Sequence, residues 1–203
     1  MKIKKTKLNL KSLLKQCNDQ ALKMNIFFLA WNPARCASMH CDKHVVKMIL
    51  ETAQILCTTH RVMDGKEITV ISPKSGRRTK RWILEDGEKD TILYSSTHMN
   101  HPSVQWTRVC VEHYNWLYDL FVALCDEYSL RYNKTHLCWT KLHSVLEQPP
   151  TNMICTSKLS APPPAMPDYC KKETIINSYR SYYINEKASF AKWTNRQAPS
   201  WFV

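Results

Sequence analysis

The sequence predicts a mainly α protein, a compact helical bundle with a basic β-hairpin inserted at about 62–95 and an extended proline-rich segment. Three observations carry that expectation. Apolar residues recur at the three-to-four-residue spacing of amphipathic helices over most of the chain. The 203 residues hold only three glycines, Gly65, Gly76 and Gly87, all inside one short segment. Six of the ten prolines fall between Gln148 and Cys170, where they exclude regular helix.

Each element follows in order. Residues 1–23 read as a basic N-terminal extension ahead of a single helical domain at 24–203. Within the extension, Leu10, Leu13, Leu14, Cys17 and Ala21 suggest an amphipathic helix over 8–23. "NIFFLAW" (25–31) is a short buried strand or extended segment, ended by Asn32-Pro33. A long helix is expected over 34–60. "EITVIS" and "TKRWILE" have strand-like β-branched content, and "PKSGRR" and "EDGE" are turn-like, which gives the hairpin. Asn100-His101-Pro102 is a cap with proline at the first helical position, opening a helix to about Arg131. A shorter helix spans 134–147, the proline segment wraps the surface, and a last helix runs over 173–193.

Charge narrows the function. Net charge is +12, from 29 Lys+Arg against 17 Asp+Glu, which favours a polyanionic partner, nucleic acid and DNA above all. No apolar run reaches membrane-spanning length, so no membrane contact is expected. The nine cysteines are odd in number, form no C-x-x-C pair and follow no secretory leader. They point to reduced, mostly buried thiols in a cytosolic or nuclear-type compartment. The sequence implies no cofactor and leaves the oligomeric state open.

One stretch carries the chemistry, "HCDKHVVKMILE" (40–51). At 100° per residue, Cys36, His40, His44, Lys47, Glu51 and Gln54 fall on one stripe roughly 80° wide. Val45, Val46, Ile49, Leu50, Ala53 and Leu56 occupy the opposite, core-facing side. Three readings compete for the stripe. It is a solvated face with Lys47–Glu51 ion pairing. Or His40 and His44, with Cys36 or Cys41 and His98 or His101, bind zinc, although the glutamate of the zinc-protease motif is replaced by Cys41. Or histidine and glutamate supply proton transfer beside a phosphate-anchoring lysine.

The segments "MNIFFL", "HCDKHVVKMILETAQIL", "THMNHPSVQW", "EYSLRYNK", "AMPDYC" and "YRSYYINEKASFAKWTNRQAPSWF" resemble a family of small proteins of tailed phages and large DNA viruses, over 24–202. More distantly, the layout resembles the pyrimidine-dimer DNA glycosylases of the phage endonuclease V type. The likeness rests on His44 followed seven residues on by Glu51, on Asn100-His101-Pro102 before a long helix, and on Glu186-Lys187 with "RQAPSW" (196–201). It implies a glycosylase/AP lyase acting on damaged or modified bases, with Glu51 as catalytic carboxylate and Asn25 at the position of the nucleophilic N-terminal amine. His44 and His40 would hydrogen-bond the extruded sugar or base, and Lys47 would hold phosphate or serve as the amine. Asn100, His101, Arg108, Arg77, Arg78, Lys187, Arg196 and Trp201 would contact nucleic acid. Two departures stand out: 23 residues precede Met24, and Leu50 stands where the family has arginine. The competing reading is a non-enzymatic nucleic-acid-binding or virion-associated protein, with or without a structural zinc.

Overall fold

The computed structural model describes residues 25–72 and 76–202. The helix expected at 8–23 and the hairpin residue Lys74 lie outside the described residues. The rest is mainly α with one two-stranded sheet, as the sequence predicts.

Residues 25–30 form the extended segment, buried along its whole length. Phe27 and Phe28 point to opposite sides and both find aromatic partners. Phe27 stacks on His44 at 4.4 Å, and Phe28 meets Trp116 at 4.7 Å. Asn32 then caps helix α1 (Pro33–Met39) by accepting from the Arg35 amide, with Pro33 at the first helical position.

The long helix expected over 34–60 is two helices. α1 stops at Met39, and α2 (Asp42–Asp64) begins after His40 and Cys41, both in extended conformation. Neither glycine nor proline marks the break. Instead, distant donors satisfy the carbonyls that α1 leaves open: Arg131 donates to the Ser38 and His40 carbonyls, and the Trp193 indole to that of Met39. His40 donates from its own Nδ1 to the Cys36 carbonyl at 2.8 Å. The break is thus a tertiary feature, and it takes His40 off the helix that carries His44 and Glu51.

α2 runs four residues past its expected end. Gly65 then turns the chain out, and a Cβ there would lie 2.4 Å from the Arg61 carbonyl oxygen, so only glycine fits. The hairpin is narrower than expected: β1 (Lys66–Ile71) pairs antiparallel with β2 (Arg78–Ile83), Lys66 opposite Ile83 and Ile71 opposite Arg78. The "EDGE" turn opens a short helix, α3 (Gly87–Ile92), because Asp86 caps it by accepting from the Lys89 amide. Arg61, near the end of α2, holds this region. Its guanidinium donates to the carbonyls of Tyr94, Trp82, Asp90 and Leu93 and to the Asp90 carboxylate.

The helix expected from Pro102 to about Arg131 is also two: α4 (Pro102–Thr107) and α5 (Val111–Tyr132). The Cys155 carbonyl accepts from the Val111 amide, so the proline-rich segment caps the new start. α6 (Leu137–Leu146) and α7 (Ile175–Glu186) are shorter than expected at their ends. Between them the chain has no regular strand or α-helix, only a turn at Thr151–Asn152 and a 3-10 turn at Asp168–Cys170. α5 packs against both α1 and α2, and the core lies among Met48, Leu56, Leu117, Phe121 and their neighbours.

Candidate active site

Most of the polar stripe of α2 is covered: His44 and Glu51 are buried, and so is His40 on the preceding break, while Lys47 is exposed and makes the ion pair with Glu51 that the solvated-face reading expects. Two residues assigned to the core side, Val46 and Leu50, are instead 41% and 42% exposed. The reason is the direction from which α2 is packed. The extended segment 25–30 and α7 lie over the stripe, and they bring aromatic rings and a backbone amide that the periodicity of α2 alone does not reveal.

Glu51 sits between two nitrogens. Oε2 accepts from the backbone nitrogen of Asn25 at 3.1 Å, and Oε1 lies 3.1 Å from Lys47 Nζ. Burial raises its pKa above the usual carboxylate range, while Lys47, the Asn25 amide and His98 pull the other way. A carboxyl so placed, with a nitrogen at each oxygen, can pass a proton to or from a group held beside it. Lys47 remains about half exposed at its side chain, at 46%.

Asn25 is fixed in place. Its Oδ1 accepts from its neighbour Ile26 N at 2.8 Å and from Tyr179 OH at 2.9 Å, and its Nδ2 donates to the Ala165 carbonyl. Thus α7 and the proline-rich segment both determine where the Asn25 nitrogen lies relative to Glu51.

His44 is fixed by Tyr183 of α7, whose hydroxyl lies 2.5 Å from Nδ1. Burial, reinforced by His40, Lys187 and Lys47, lowers the His44 pKa to about 2. The ring is therefore neutral at pH 7, and with Nδ1 taken, its remaining polar contact falls to Nε2. His40 is neutral for the same reason, its pKa lowered to about 4 by burial, and its Nε2 is buried without a partner.

These groups border a cavity of about 500 Å³ lined by Asn25, Phe27, His44, Lys47, His101, Pro164 to Pro167, Tyr182 and Lys187. Phe27 and Tyr182 stack at 5.9 Å and form an aromatic wall, while Lys187 Nζ lies 4.5 Å over the Tyr182 ring. Aromatic faces beside cations and a buried carboxyl suit a nucleotide removed from its stack.

The residues singled out from sequence divide accordingly. Asn25, His44, Lys47, His101 and Lys187 line the cavity, and Glu51 is bonded to two of them. His101 also caps α4, accepting from the Ser103 amide. His40 lies behind the site. Asn100 is exposed beside it, and Arg108 donates to the Met99 carbonyl. Arg196 is ion-paired with Glu127, and Trp201 packs on Tyr183 with its indole donating to the Met39 sulfur. Arg77 and Arg78 are exposed on the hairpin. Sequence reasoning missed Tyr179, Tyr182, Tyr183 and the Pro164–Pro167 wall. The clustered tyrosines of "SYRSYY" were a signal, since three on one short helix exceed what an exposed face needs. For the zinc reading, no group of three or more His, Cys, Asp or Glu is arranged to hold a metal among the described residues.

Comparison with known families matches residues 24–140 to the model described as pyrimidine dimer DNA glycosylase. The matched stretch holds Asn25, His44, Lys47, Glu51 and His101 but ends before the cavity walls supplied by 164–187. No curated protein and no solved structure matches the chain.

Proposed function

The chain belongs to the pyrimidine dimer DNA glycosylase family, and from that premise we propose that it is a glycosylase/AP lyase that removes a damaged base and cleaves the strand at Glu51. The family supports a glycosylase-like function on damaged DNA, with DNA as partner. The finer assignment rests on one observation: Glu51 bonds the nitrogen of Asn25 at 3.1 Å, and Asn25 lines a cavity walled by aromatic rings and lysines.

The chemistry follows from that pairing. In a chain whose first residue is Asn25, the nitrogen is a primary amine. It bonds to C1′ of the damaged nucleotide as the glycosidic bond breaks, and the base leaves with the bonding electrons and a proton. The sugar ring opens to an imine. The Glu51 carboxylate takes a proton from C2′, and the 3′ phosphate departs by β-elimination. Water then releases the amine. In the longer chain, Lys47 is the primary amine that touches Glu51, and the same sequence runs through its Nζ. Neutral His44 hydrogen-bonds the sugar or base through Nε2, and His40 supports Phe27 and Tyr183 from behind. Lys187 and His101 hold flanking phosphates, with Asn100, Arg108, Arg77, Arg78, Arg196 and Trp201 as further contacts to nucleic acid. The reducing interior of an infected cell is the setting in which buried thiols such as Cys36 and Cys57 persist.

Incision of a duplex carrying a single pyrimidine dimer tests this. Wild-type protein cuts at the dimer, and Glu51→Gln lowers the rate by about 10²–10⁴, the usual worth of a positioned proton-transfer group. Equal rates for the two proteins would remove Glu51 from the mechanism.

A further inference from the structure

We propose that the β1–β2 ribbon is a second DNA-contacting element, gripping the duplex phosphates to one side of the nucleotide held in the cavity. The proposal rests on the DNA-acting reading above, but not on catalysis. Its described residues carry five cations, Lys66, Arg77, Arg78, Lys80 and Arg81, against the single acid Glu67. Glu67 is taken up by Lys80 at 2.7 Å. Among the described residues Arg77, Arg78 and Arg81 form no ion pair.

The pleat distributes this charge over both faces. Arg78 and Lys80 project to one side and Arg81 to the other. The face of Ile71, Arg78 and Lys80 is open, since Ile71 is 68% exposed, whereas Ile68 and Val70 on the other face are half-buried toward the body; among the described residues no third strand covers the pair. The open face carries Arg78 and Lys80 away from the body, and Arg81 stands exposed at the rim of the other. The ribbon's shape and charge match a polyanionic groove, and the major groove of a duplex admits a two-stranded ribbon. A cavity of about 390 Å³ opens between ribbon and body, and Arg81, Thr91, Ser95 and Ser96 line it beside Asp90, whose carboxylate is taken up by Arg61 at 2.6 Å.

Position agrees with an accessory grip. Arg61 fastens the ribbon base through the Trp82 carbonyl. It lies ten residues beyond Glu51 on α2, roughly 15 Å along the helix axis. At about 3.4 Å per base pair, that separation matches roughly four or five pairs, short enough for one duplex to meet both places. Residues 95–101 link the two places directly, with Ser95 and Ser96 at the ribbon cavity and His101 at the other.

The test is fluorescence anisotropy of the full chain on an undamaged 30-base-pair duplex across a salt series (a length of about three helical turns). The variant Arg77→Ala/Arg78→Ala/Arg81→Ala lowers the slope of log affinity against log salt by about two to three, since each lost phosphate contact removes about 0.9. Lys134→Ala/Lys158→Ala/Lys172→Ala, with the same change in net charge, leaves the slope nearly unchanged. Arg→Lys at the three ribbon positions restores it, which a merely misfolded ribbon would not allow. An unchanged slope in the alanine variant, or an equal loss in the control, overturns the proposal. Because the duplex is undamaged, a protein that never incises DNA still reports on the ribbon, and one that incises with a normal slope refutes only the ribbon.

Discussion

Acid should unfold this protein through its buried histidines. His40, His44 and His60 lie in the interior, and burial lowers their pKa values from 6.5 to about 4, 2 and 3. A histidine whose folded pKa lies below its unfolded value binds its proton more readily in the unfolded chain. The native state therefore keeps its full stability above pH 6.5 and loses it as pH falls through the window down to those values. Each pH unit in that window costs about 1.4 kcal/mol per histidine. Between pH 7 and pH 5 each histidine accounts for about 2 kcal/mol and the three together for about 6, comparable to the whole stability of a typical domain. Glu51 works in the opposite sense, since its raised pKa favours protonation in the folded state, and offsets part of the loss. Urea unfolding at a series of pH values is the assay. We expect stability to fall steeply below pH 6.5, with nearly three protons taken up on unfolding at pH 5.5, and His44→Gln to reduce that uptake by about one. A stability that stays level from pH 7 to pH 5 would refute the argument.

Two further outcomes follow from the same packing. Arg131 is fully buried at its side chain, pairs with Asp42 and Glu127 and donates to two carbonyls at the α1–α2 break, so Arg131→Ala should cost about 3–5 kcal/mol in chemical denaturation. A loss under 1 kcal/mol would show that the break holds without it. Tyr183→Phe removes the hydroxyl beside His44 Nδ1 and should destabilise the fold by about 1–3 kcal/mol. It should also lower incision, because the imidazole loses its orientation; unaltered incision would separate Tyr183 from the site.

How much of this was legible in the sequence depends on where each signal lives. The end of the extended segment at Asn32-Pro33, the cap at His101-Pro102, the strand pair and the mainly helical body come from local chemistry, and the structure follows them. The two helix breaks do not. Carbonyls at Ser38, Met39 and His40 are satisfied by Arg131 and Trp193, roughly ninety and more than one hundred and fifty residues away in sequence. Likewise the stripe on α2 was visible, but its burial was not. Val46 and Leu50 read as core because an isolated helix wheel ranks side chains by polarity, whereas the real packing surface is set by Phe27, Tyr182 and Tyr183. The pairing of Asn25 with Glu51 needed the extended segment to fold across α2, and no periodicity encodes that.

The most direct measurement is borohydride trapping on a duplex with one abasic site, using the full chain and a chain beginning at Asn25, followed by mapping of the modified residue. The account predicts a covalent adduct at one of the two nitrogens that touch Glu51: the Asn25 amine in the shorter chain, Lys47 Nζ in the longer. No adduct from either chain, or an adduct on a lysine outside the cavity, would contradict it.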